Sequence, residues 1–573
     1  MRYFHFSIIA SLLAVLWSVT CSRAEDATSI EHRLTRTIHL LASDQMAGRG
    51  LGTPEIDQAA EFIRQQFSDL GLATDSVDGS AFQPFDYTMK ASIGGENSAT
   101  FAKSKSELSH NLPLILNRDY RPLAIGGAGP LNMPLVFIGY GITAPEANYD
   151  DYASIDVSGK AVIVLRHEPR QSDANSPFNG TDHSAHAPFR RKVKNAIDHG
   201  AKAILFCTDQ FEIDKRIGEW RRRQRVAEEE LAKAQTSFQA IGNPTQKKIN
   251  EHDLEVKRLS EKIAACDRRA DEAFDPLLAF EGAGRSNDER RIPVLACSRG
   301  TINRLLIAAG QPLLQTLEQQ IDERLSPASR ELDDWHLQGA VDIERKIVEI
   351  KNVIGILEGE GPLADETIII GAHYDHLGRV AQGSTKPEEG AIHNGADDNA
   401  SGTAALLEVA RYFAMKPINP ARRLVFIAFT GEERGLLGSA HYVKHPLFPL
   451  ETTVAMFNFD MVGRLANNKL NVNGYDSAQE FSQLVDQVNE RHGFELGKVP
   501  GGHGRSDHAS FSSRKIPSLH FFTGFHDEYH RPSDDVELLN VPGLRRVSEY
   551  ACELVELVVA SPDRPKYVAP APR

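Results

Sequence analysis

Near-continuous apolar strands alternate with helices over residues 347–459 of this 573-residue chain. In chain order, the predicted elements are the strands Ile347–Leu357 and Thr367–Gly371, a helix over Thr403–Ala414, the strand Leu424–Phe429, a helix from Leu436, and the strand Thr453–Phe459. Strands that are apolar throughout need cover on both faces, and intervening helices favour parallel pairing. The pattern predicts an α/β fold, with a mostly parallel mixed sheet sandwiched by helices.

A β-rich region precedes this alternation, with short apolar runs separated by Gly and Asp. Its runs are Pro134–Gly139, Ala161–Leu165 and Ala201–Phe206, and after an interruption Ile292–Ala296. Residues 213–275 form the interruption, and their Glu, Lys, Arg and Gln content with spaced apolar positions predicts a hairpin of two amphipathic helices. We expect a self-packed insertion; an arm that contacts a partner protein is the alternative.

The first residues predict export. Arg2 precedes an apolar run over residues 8–19, and the small residue Ala24 follows, which is typical of a signal peptide spanning 1–24. The run is too short to span a bilayer and no other stretch reaches about 20 apolar residues, so we expect no integral membrane span. A periplasmic or extracellular location follows, with a lipid anchor at Cys21 as the less favoured alternative.

The net charge and the positions of the cysteines exclude one class of partner and one class of metal site. Lys and Arg number 64 against 78 Asp and Glu, a net charge of -14, and binding nucleic acid needs a concentrated basic face, so no nucleic-acid partner is expected. The cysteines beyond the predicted signal peptide are Cys207, Cys266, Cys297 and Cys552. They form no C-x-x-C pair, so a thiolate zinc site is excluded, and their disulfide status stays open. Any metal must bind to His and carboxylates.

Polar side chains with metal-binding capacity follow three successive predicted strands. They are His373, Asp375 and His376 after the first, Glu432 and Glu433 after the second, and Asp460 after the third. Carboxyl ends of parallel strands share one edge of a sheet, where ligands gather. Imidazole and carboxylate suit Zn²⁺, and two metal ions about 3.5–4 Å apart need a shared carboxylate. An acidic turn over 394–402 offers Asp397 and Asp398, and the residues alone do not separate them.

Six blocks of sequence resemble, in order and spacing, the M28 family of zinc aminopeptidases (aminopeptidase Y and bacterial leucyl aminopeptidase type). The blocks are His373–His376, Gly395–Gly402, Thr430–Gly435, Phe459–Met461, Ser506–Ser510 and His530. Residues 112–345 resemble the protease-associated (PA) domain that many members carry, and Gly48–Gly50 resembles the family's N-terminal portion. The implied domains are 25–111 and 346–562 for the peptidase, 112–345 for the insert, and a flexible tail over 563–573.

The resemblance implies two Zn²⁺ ions per chain. By position, Asp398 would bridge them, His373 and Asp460 would complete one site, and Glu433 and His530 the other. Asp398 is preferred to Asp397 because the family's ligand stands three residues before the Ser of a Ser-Gly pair.

Further roles are carried over in the same way. Asp375 would orient His373 and Glu432 would act as general base. His503 stands where some relatives place a Tyr that steadies the oxyanion, and it either replaces that Tyr or is a plain loop residue. Asp507 and His508 are expected near the ligands or the substrate and not as ligands.

The implied function is hydrolysis of N-terminal residues from peptides with a free N-terminus, by a metal-activated water. A carboxypeptidase or dipeptidase of the same fold, a glutaminyl-cyclase-like transferase, and a non-catalytic binding protein are the alternatives. A serine hydrolase lacks support, because no Gly-x-Ser-x-Gly sequence occurs in the α/β region.

Overall fold

A computed structural model of the protein describes residues 26–103, 111–284, 290–379, 383–388, 390–501 and 504–569. The predicted signal peptide, Cys21 and His503 lie outside these ranges. No helix within them has both the length and the apolar character that crossing a bilayer requires. The chain divides into two compact units, the first formed by Met1–Tyr87 with Val348–Arg573 and the second by Thr88–Ile347.

The α-helices of the described residues are, in chain order, α1 Ala27–Leu41, α2 Pro54–Asp69, α3 Phe189–Asp198, α4 Gln210–Gln239, α5 Gln246–Glu272, α6 Arg299–Ala308, α7 Leu314–Arg324, α8 Gly402–Ala414, α9 Leu437–Lys444, α10 Phe481–His492, α11 His508–Ser512 and α12 Val541–Ala560.

The strands are, in the same order, β1 Phe82–Ile93, β2 Ser98–Lys103, β3 Leu112–Leu114, β4 Tyr120–Pro122, β5 Gly129–Phe137, β6 Thr143–Ala144, β7 Tyr149–Asp150, β8 Ala161–Leu165, β9 Ala203–Cys207, β10 Val294–Cys297, β11 Arg330–Val341, β12 Ile343–Leu357, β13 Thr367–His373, β14 Arg423–Phe429, β15 Thr453–Phe459, β16 Lys469–Asn473, β17 Glu495–Val499 and β18 Ser518–Phe522.

The sheet of the first unit has eight strands in the order β1-β12-β14-β13-β15-β18-β16-β17. Strands β14, β13, β15 and β18 run parallel at its centre, and β12 and β16 pair antiparallel on either side. The central strands are buried along nearly their whole length. The predicted mostly parallel mixed sheet is confirmed, and it sets the carboxyl ends of its parallel strands at one edge.

Both faces of this sheet are covered, as the continuous apolar strands require. Along β13, Ile368 and Ile370 belong to a core that includes residues of α1, α2, α8 and α12, whereas Ile369 belongs to a second core with Tyr442 of α9 and Phe511 of α11. This alternation follows from the two-residue period of side chains along a strand. Helices therefore flank the sheet on both sides.

The second unit contains its own eight-stranded sheet, in the order β3-β2-β11-β5-β8-β9-β10-β4. It begins at Thr88, earlier than the predicted boundary at 112, because β2 lies beside β11 and pairs with it antiparallel from Trp335↔Lys103 to Ala340↔Ser98. It ends at Ile347, close to the predicted 345. Strands β5, β8, β9 and β10 are parallel. Its identity as a PA domain stays a prediction.

The predicted helical hairpin consists of α4 and α5, so it begins at residue 210 and ends at 272 instead of 213 and 275. The two helices contact each other through ion pairs, among them Lys262–Glu230 at 2.9 Å, and through stacked rings of Phe238 and His252, 3.9 Å apart. Few apolar side chains of the hairpin are buried. The packing fits a self-packed insertion, and a role for the hairpin in protein contact stays a prediction.

The first residues of the predicted flexible tail form backbone hydrogen bonds with the first unit. Gln479 N–H donates to the Lys566 carbonyl at 3.0 Å, and Val568 N–H donates to the Ser477 carbonyl at 2.9 Å. The chain is thus hydrogen-bonded to the body of the first unit as far as residue 568. The four cysteines beyond the predicted signal peptide are all buried and free.

Candidate metal centre

Three parallel strands bring the predicted ligands to one edge of the sheet. His373 is the last residue of β13 and pairs in register with Phe429, the last residue of β14, so Glu432 and Glu433 follow at the same edge. Asp460 directly follows β15, which pairs with β13 on its other side. Parallel pairing aligns these three strand ends. Residues that are 87 positions apart in sequence, His373 and Asp460, are thereby brought into contact.

One group of side chains consists of His373, Asp398 and Asp460. The Nε2 atom of His373 lies 3.3 Å from Asp398 Oδ1 and 3.4 Å from Asp460 Oδ1. All three potential ligand atoms lie within 4.8 Å of one another, and the His373 and Asp398 side chains are buried. The structure therefore brings together the three residues predicted for the first site.

The second predicted group meets on the other oxygen of Asp398. His530 Nε2 lies 3.2 Å from Asp398 Oδ2 and 3.1 Å from Glu433 Oε2. Its other ring nitrogen, Nδ1, donates to the Gly383 carbonyl at 2.8 Å, which leaves Nε2 as the atom free to bind a metal. Asp398 thus lies between two imidazoles, each accompanied by a second carboxylate.

These distances fit zinc. Zinc bonds to nitrogen and oxygen of about 2.0–2.2 Å at tetrahedral angles separate neighbouring ligand atoms by roughly 3.3–3.5 Å. The His373 contacts, at 3.3 and 3.4 Å, match this separation, and the His530 contacts, at 3.2 and 3.1 Å, come close to it. The donors are imidazole and carboxylate without thiolate, a set that zinc accepts. His373, Asp398 and Asp460 could hold one ion, and His530, Glu433 and Asp398 a second.

His376 is a further member of the cluster, to which the sequence analysis gave no role. Its Nδ1 atom lies 2.7 Å from Glu433 Oε1 and 4.0 Å from Asp398 Oδ1. A separation of 2.7 Å is that of a charge-assisted hydrogen bond and is short for two ligands of one zinc. His376 is thus placed to donate to Glu433 and fix its orientation, as partners of metal ligands commonly do.

The neighbouring imidazoles lower the pKa values of the Glu433 and Asp398 carboxylates. Burial and the nearby Asp398 would raise the pKa of Glu433, but the hydrogen bonds from His376 and His530 outweigh them and lower it to about 2. Burial likewise opposes ionisation of Asp398, yet the contacts with His373 and His530 hold its pKa well below the ordinary value. Both side chains are therefore ionised at neutral pH, the form that binds metals.

The geometry separates Asp397 from Asp398. Asp397 Oδ1 accepts hydrogen bonds from Gly463 N–H at 2.7 Å and from the Ser401 hydroxyl at 3.0 Å. Its Oδ2 lies 3.3 Å from Nε2 of His526. Asp397 is thus occupied by groups outside the cluster, whereas both oxygens of Asp398 face the two imidazoles.

Asp375 and Glu432 lie next to the first group. Asp375 is fully buried, and its Oδ1 lies 3.7 Å from His373 Nδ1 and accepts from Glu432 N–H at 3.2 Å. The closer partner of His373 Nδ1 is the Asp375 carbonyl, at 3.1 Å. Burial, opposed by His373 and reinforced by the Asp460 carboxylate, raises the pKa of Glu432 well above its usual range. A carboxyl group with a raised pKa is suited to exchanging protons near neutrality.

A cavity of about 220 Å³ opens beside the candidate metal ligands. It is lined by Asp398, Glu432, Asp460, Met461, Asn473, Gly504, Arg505, Ser506, His508, His520, Phe522, Phe525 and Tyr529. Its walls are thus largely aromatic and apolar, and Tyr529 stacks on the ring of His530 at 3.9 Å. Two of the predicted ligands, Asp398 and Asp460, line the same space as the predicted base Glu432, where a substrate would reach them.

Asp507 and His508 are buried beside this cavity, and neither belongs to the two ligand groups. His508 lines the cavity and stacks on His520 with ring centres 4.5 Å apart, and burial lowers its pKa to about 3. Burial raises the pKa of Asp507 to about 7. The placement of both agrees with a position near the ligands, while the predicted role of His503 lies outside the described residues.

Arg49 was part of a loop noted in the sequence but was given no role there. It is fully buried, and its guanidinium donates to the carbonyls of Tyr374, Asn394 and Gly395 at 2.8, 2.8 and 3.0 Å. Burial lowers its pKa to about 10, so it stays charged at neutral pH. These carbonyls flank the predicted ligands His373 and Asp398. The only local signal is an arginine between two glycines, Gly48 and Gly50.

Two sets of imidazole and carboxylate groups share one aspartate at the carboxyl edge of an α/β sheet, an arrangement that could hold two metal ions. Residues 352–555 match the family model of Peptidase family M28. The match agrees with the predicted family over this segment. It covers the candidate ligands but not Arg49.

Two curated aminopeptidases are similar to part of this chain. The chain is 30% identical over 228 residues to aminopeptidase YwaD of Bacillus subtilis (strain 168), covering 38% of this chain and 47% of that protein. It is 37% identical over 133 residues to an aminopeptidase of Pseudomonas aeruginosa (strain UCBPP-PA14), covering 23% of this chain and 21% of that protein. The chain therefore spans about half the length of the first relative and about a fifth of the second.

Among solved structures, a zinc aminopeptidase from Bacillus subtilis matches with 19% identity and a TM-score of 0.42, covering 93% of this chain and 95% of that one. An aminopeptidase from Aneurinibacillus sp. strain AM-1 matches with 20% identity and a TM-score of 0.41, covering 94% and 98%.

Proposed function

We propose that the protein is a two-zinc aminopeptidase that removes N-terminal residues from peptides. The observation that carries this proposal is the position of Asp398 between His373 and His530, with Asp460 and Glu433 completing two ligand sets. When bound, zinc ions would supply a Lewis acid for the scissile carbonyl and lower the pKa of a water molecule toward neutrality. The curated relatives named above are aminopeptidases, which supports the same reaction class.

Glu432 supplies proton transfer in this proposal. It lines the cavity together with Asp398 and Asp460, and its backbone is held by the hydrogen bond to Asp375. It is adjacent to Glu433 but belongs to neither ligand group, so its carboxylate is available to accept a proton from water and to pass it to the leaving amine. The same group must act as a base when it takes the proton from water and as an acid when it gives the proton to the leaving amine.

The choice of an amino terminus over a carboxyl terminus follows the curated relatives, which are aminopeptidases. The predicted signal peptide at residues 1–24 leads us to propose that the reaction takes place after export.

The test compares substrates that differ only in the N-terminus. Zinc-loaded protein is assayed with leucine p-nitroanilide and with its N-acetyl derivative, and we expect hydrolysis of the first only, abolished by a chelator and restored by zinc. A C-terminally free peptide with a blocked N-terminus and a peptide with N-terminal glutamine serve as further substrates. Cleavage of the blocked peptide would indicate a carboxypeptidase, and cyclisation of the glutamine peptide a transferase; either result without leucine release would overturn the proposal.

A further inference from the structure

The loop that carries Asp398 is held on its carbonyl side by Arg49. One guanidinium donates to the carbonyls of Asn394 and Gly395, four and three residues before Asp398, and also to the carbonyl of Tyr374, directly after His373. The same group donates to the Leu41 carbonyl. A single buried side chain thereby joins the backbone segments of two metal ligands, and buried carbonyls need such donors.

Asp534 holds the same loop on its amide side. Its Oδ2 atom accepts from Asp397 N–H at 2.9 Å and from Asp398 N–H at 3.1 Å, and its backbone carbonyl accepts from Ala396 N–H at 3.0 Å. Asp534 is fully buried, and its Oδ1 pairs with Arg464 at 3.2 Å. It stands four residues after His530, so it links the bridging loop to the segment of the second imidazole.

The loop needs this support because its backbone is irregular. Asp398 has φ -106° and ψ 90°, and Asn399 has φ -136° and ψ 45°, so neither continues a helix. Gly48, which precedes Arg49, fits so closely that a Cβ atom there would lie 2.2 Å from the His393 carbonyl oxygen. The Gly48 carbonyl in turn accepts from Gly378 N–H at 3.1 Å. The segment that presents Arg49 is therefore shaped for its place against the ligand loops.

We propose that Arg49 and Asp534 are positioning residues that hold Asp398 between the two imidazoles before metal binds, and so set the zinc affinity. Partners that orient metal ligands typically contribute 10–100-fold to metal affinity. The inference rests on the zinc site of the proposed function, but it does not require the peptidase reaction. Arg49 lies outside residues 352–555, so the family match does not assign it.

The experiment measures zinc release. Wild type, Arg49→Lys and Asp534→Asn are loaded with zinc, and the rate of transfer to an excess of a chromogenic chelator is followed. Lysine keeps the charge of Arg49, but its single ammonium nitrogen has three donors and cannot span the four carbonyls that the guanidinium reaches. Asparagine at 534 turns one acceptor into a donor that faces an N–H or a guanidinium. We expect each variant to release zinc 10–100-fold faster, or to hold it correspondingly more weakly at equilibrium.

Arg422→Lys is the matched control. Arg422 is also fully buried and donates to backbone carbonyls, those of Val558 and Val559 at 2.7 and 3.1 Å, but it stands at the opposite end of β14. Its substitution should lower the unfolding temperature of the metal-free protein and leave zinc release unchanged. Arg49→Lys and Asp534→Asn should change zinc release by more than their effect on metal-free stability explains.

The outcomes separate the two proposals. If wild type binds zinc and both positioning variants release it within twofold of the wild-type rate, the inference is wrong and the proposed function stands. Equal acceleration in Arg422→Lys would also overturn it, because the effect would then be general destabilisation. If Arg49→Lys does not fold, the near-isosteric Asp534→Asn decides. Failure of wild type to bind zinc would overturn both proposals.

Discussion

Asp397 and Asp398 are adjacent residues of one type that the structure assigns to different tasks, and exchanging each for asparagine tests that assignment. Asp398 faces His373 and His530 with its two oxygens, whereas Asp397 accepts from Gly463 N–H and the Ser401 hydroxyl. We expect zinc content to separate the two variants: Asp398→Asn loses zinc, whereas Asp397→Asn loses stability and keeps zinc.

The expected loss of zinc affinity in Asp398→Asn follows from the position of Asp398 in both ligand groups. Its loss removes one ligand from each of the two groups, so zinc affinity should fall by more than the ~10–100-fold typical of residues that only support a ligand. The metal-free protein should also lose stability, because Asp398 is ionised at neutral pH and contacts His373 and His530, which lower its pKa.

The expected loss in the free energy of unfolding of Asp397→Asn follows from the two hydrogen bonds that Asp397 accepts. Two bonds to an ionised acceptor, worth roughly 1.5–3 kcal/mol each, become bonds to a neutral amide worth roughly 0.5–1.5 kcal/mol each. The loss is about 1–3 kcal/mol, because asparagine keeps one acceptor oxygen. In a domain of this size that corresponds to a fall in unfolding temperature of roughly 2–8 °C.

The assay is zinc content after dialysis against a weak chelator, combined with thermal unfolding of the metal-free proteins. Serine 401 offers a control: Ser401→Ala removes a donor to Asp397 but none to Asp398, so it should follow Asp397→Asn with a smaller loss. Retention of two zinc ions by Asp398→Asn, together with zinc loss from Asp397→Asn, would refute the assignment.

Three further predictions concern stabilisation by zinc, the proposed base Glu432 and the buried Lys192. Zinc at 100 times its dissociation constant should stabilise the first unit by about 2.7 kcal/mol for each ion bound, and equal unfolding temperatures with zinc and with chelator in calorimetry would count against the site. Glu432→Ala should keep its zinc yet lose at least ~10²-fold in kcat, and near-normal turnover in steady-state assays would exclude it as the base. Burial lowers the pKa of Lys192 to about 7, so the unfolded chain binds a proton that the native one lacks above that pH and stability rises from about pH 7 to 10. Urea unfolding of Lys192→Met at pH 7 and 9.5 should show a flatter rise, and an unchanged slope would contradict this.

Much of the site could be predicted because its ligands follow strands with a strong local signal. The apolar runs that end at His373, Phe429 and Phe459 mark β13, β14 and β15, and parallel pairing then places the following residues at one edge. His530 belongs to no strand and was located only by resemblance to a family.

The rest depends on contacts between distant residues, which leave no periodic pattern. Arg49 lies 325 positions before Tyr374, whose carbonyl it binds, and nothing near Arg49 in sequence indicates that partner. Asp397 contacts Gly463 and His526, whereas Asp398 contacts His530, and none of these three partners is nearby in the chain. The early start of the second unit depends in the same way on the pairing of β2 with β11.

The central claim is that two zinc ions, held on either side of Asp398, support peptide hydrolysis. The direct measurement is leucine p-nitroanilide hydrolysis while metal-free protein is titrated with zinc under tight-binding conditions. The account predicts that activity rises until two equivalents of zinc per chain are bound and then stays constant. Full activity at one equivalent, or no activity at two, would contradict it.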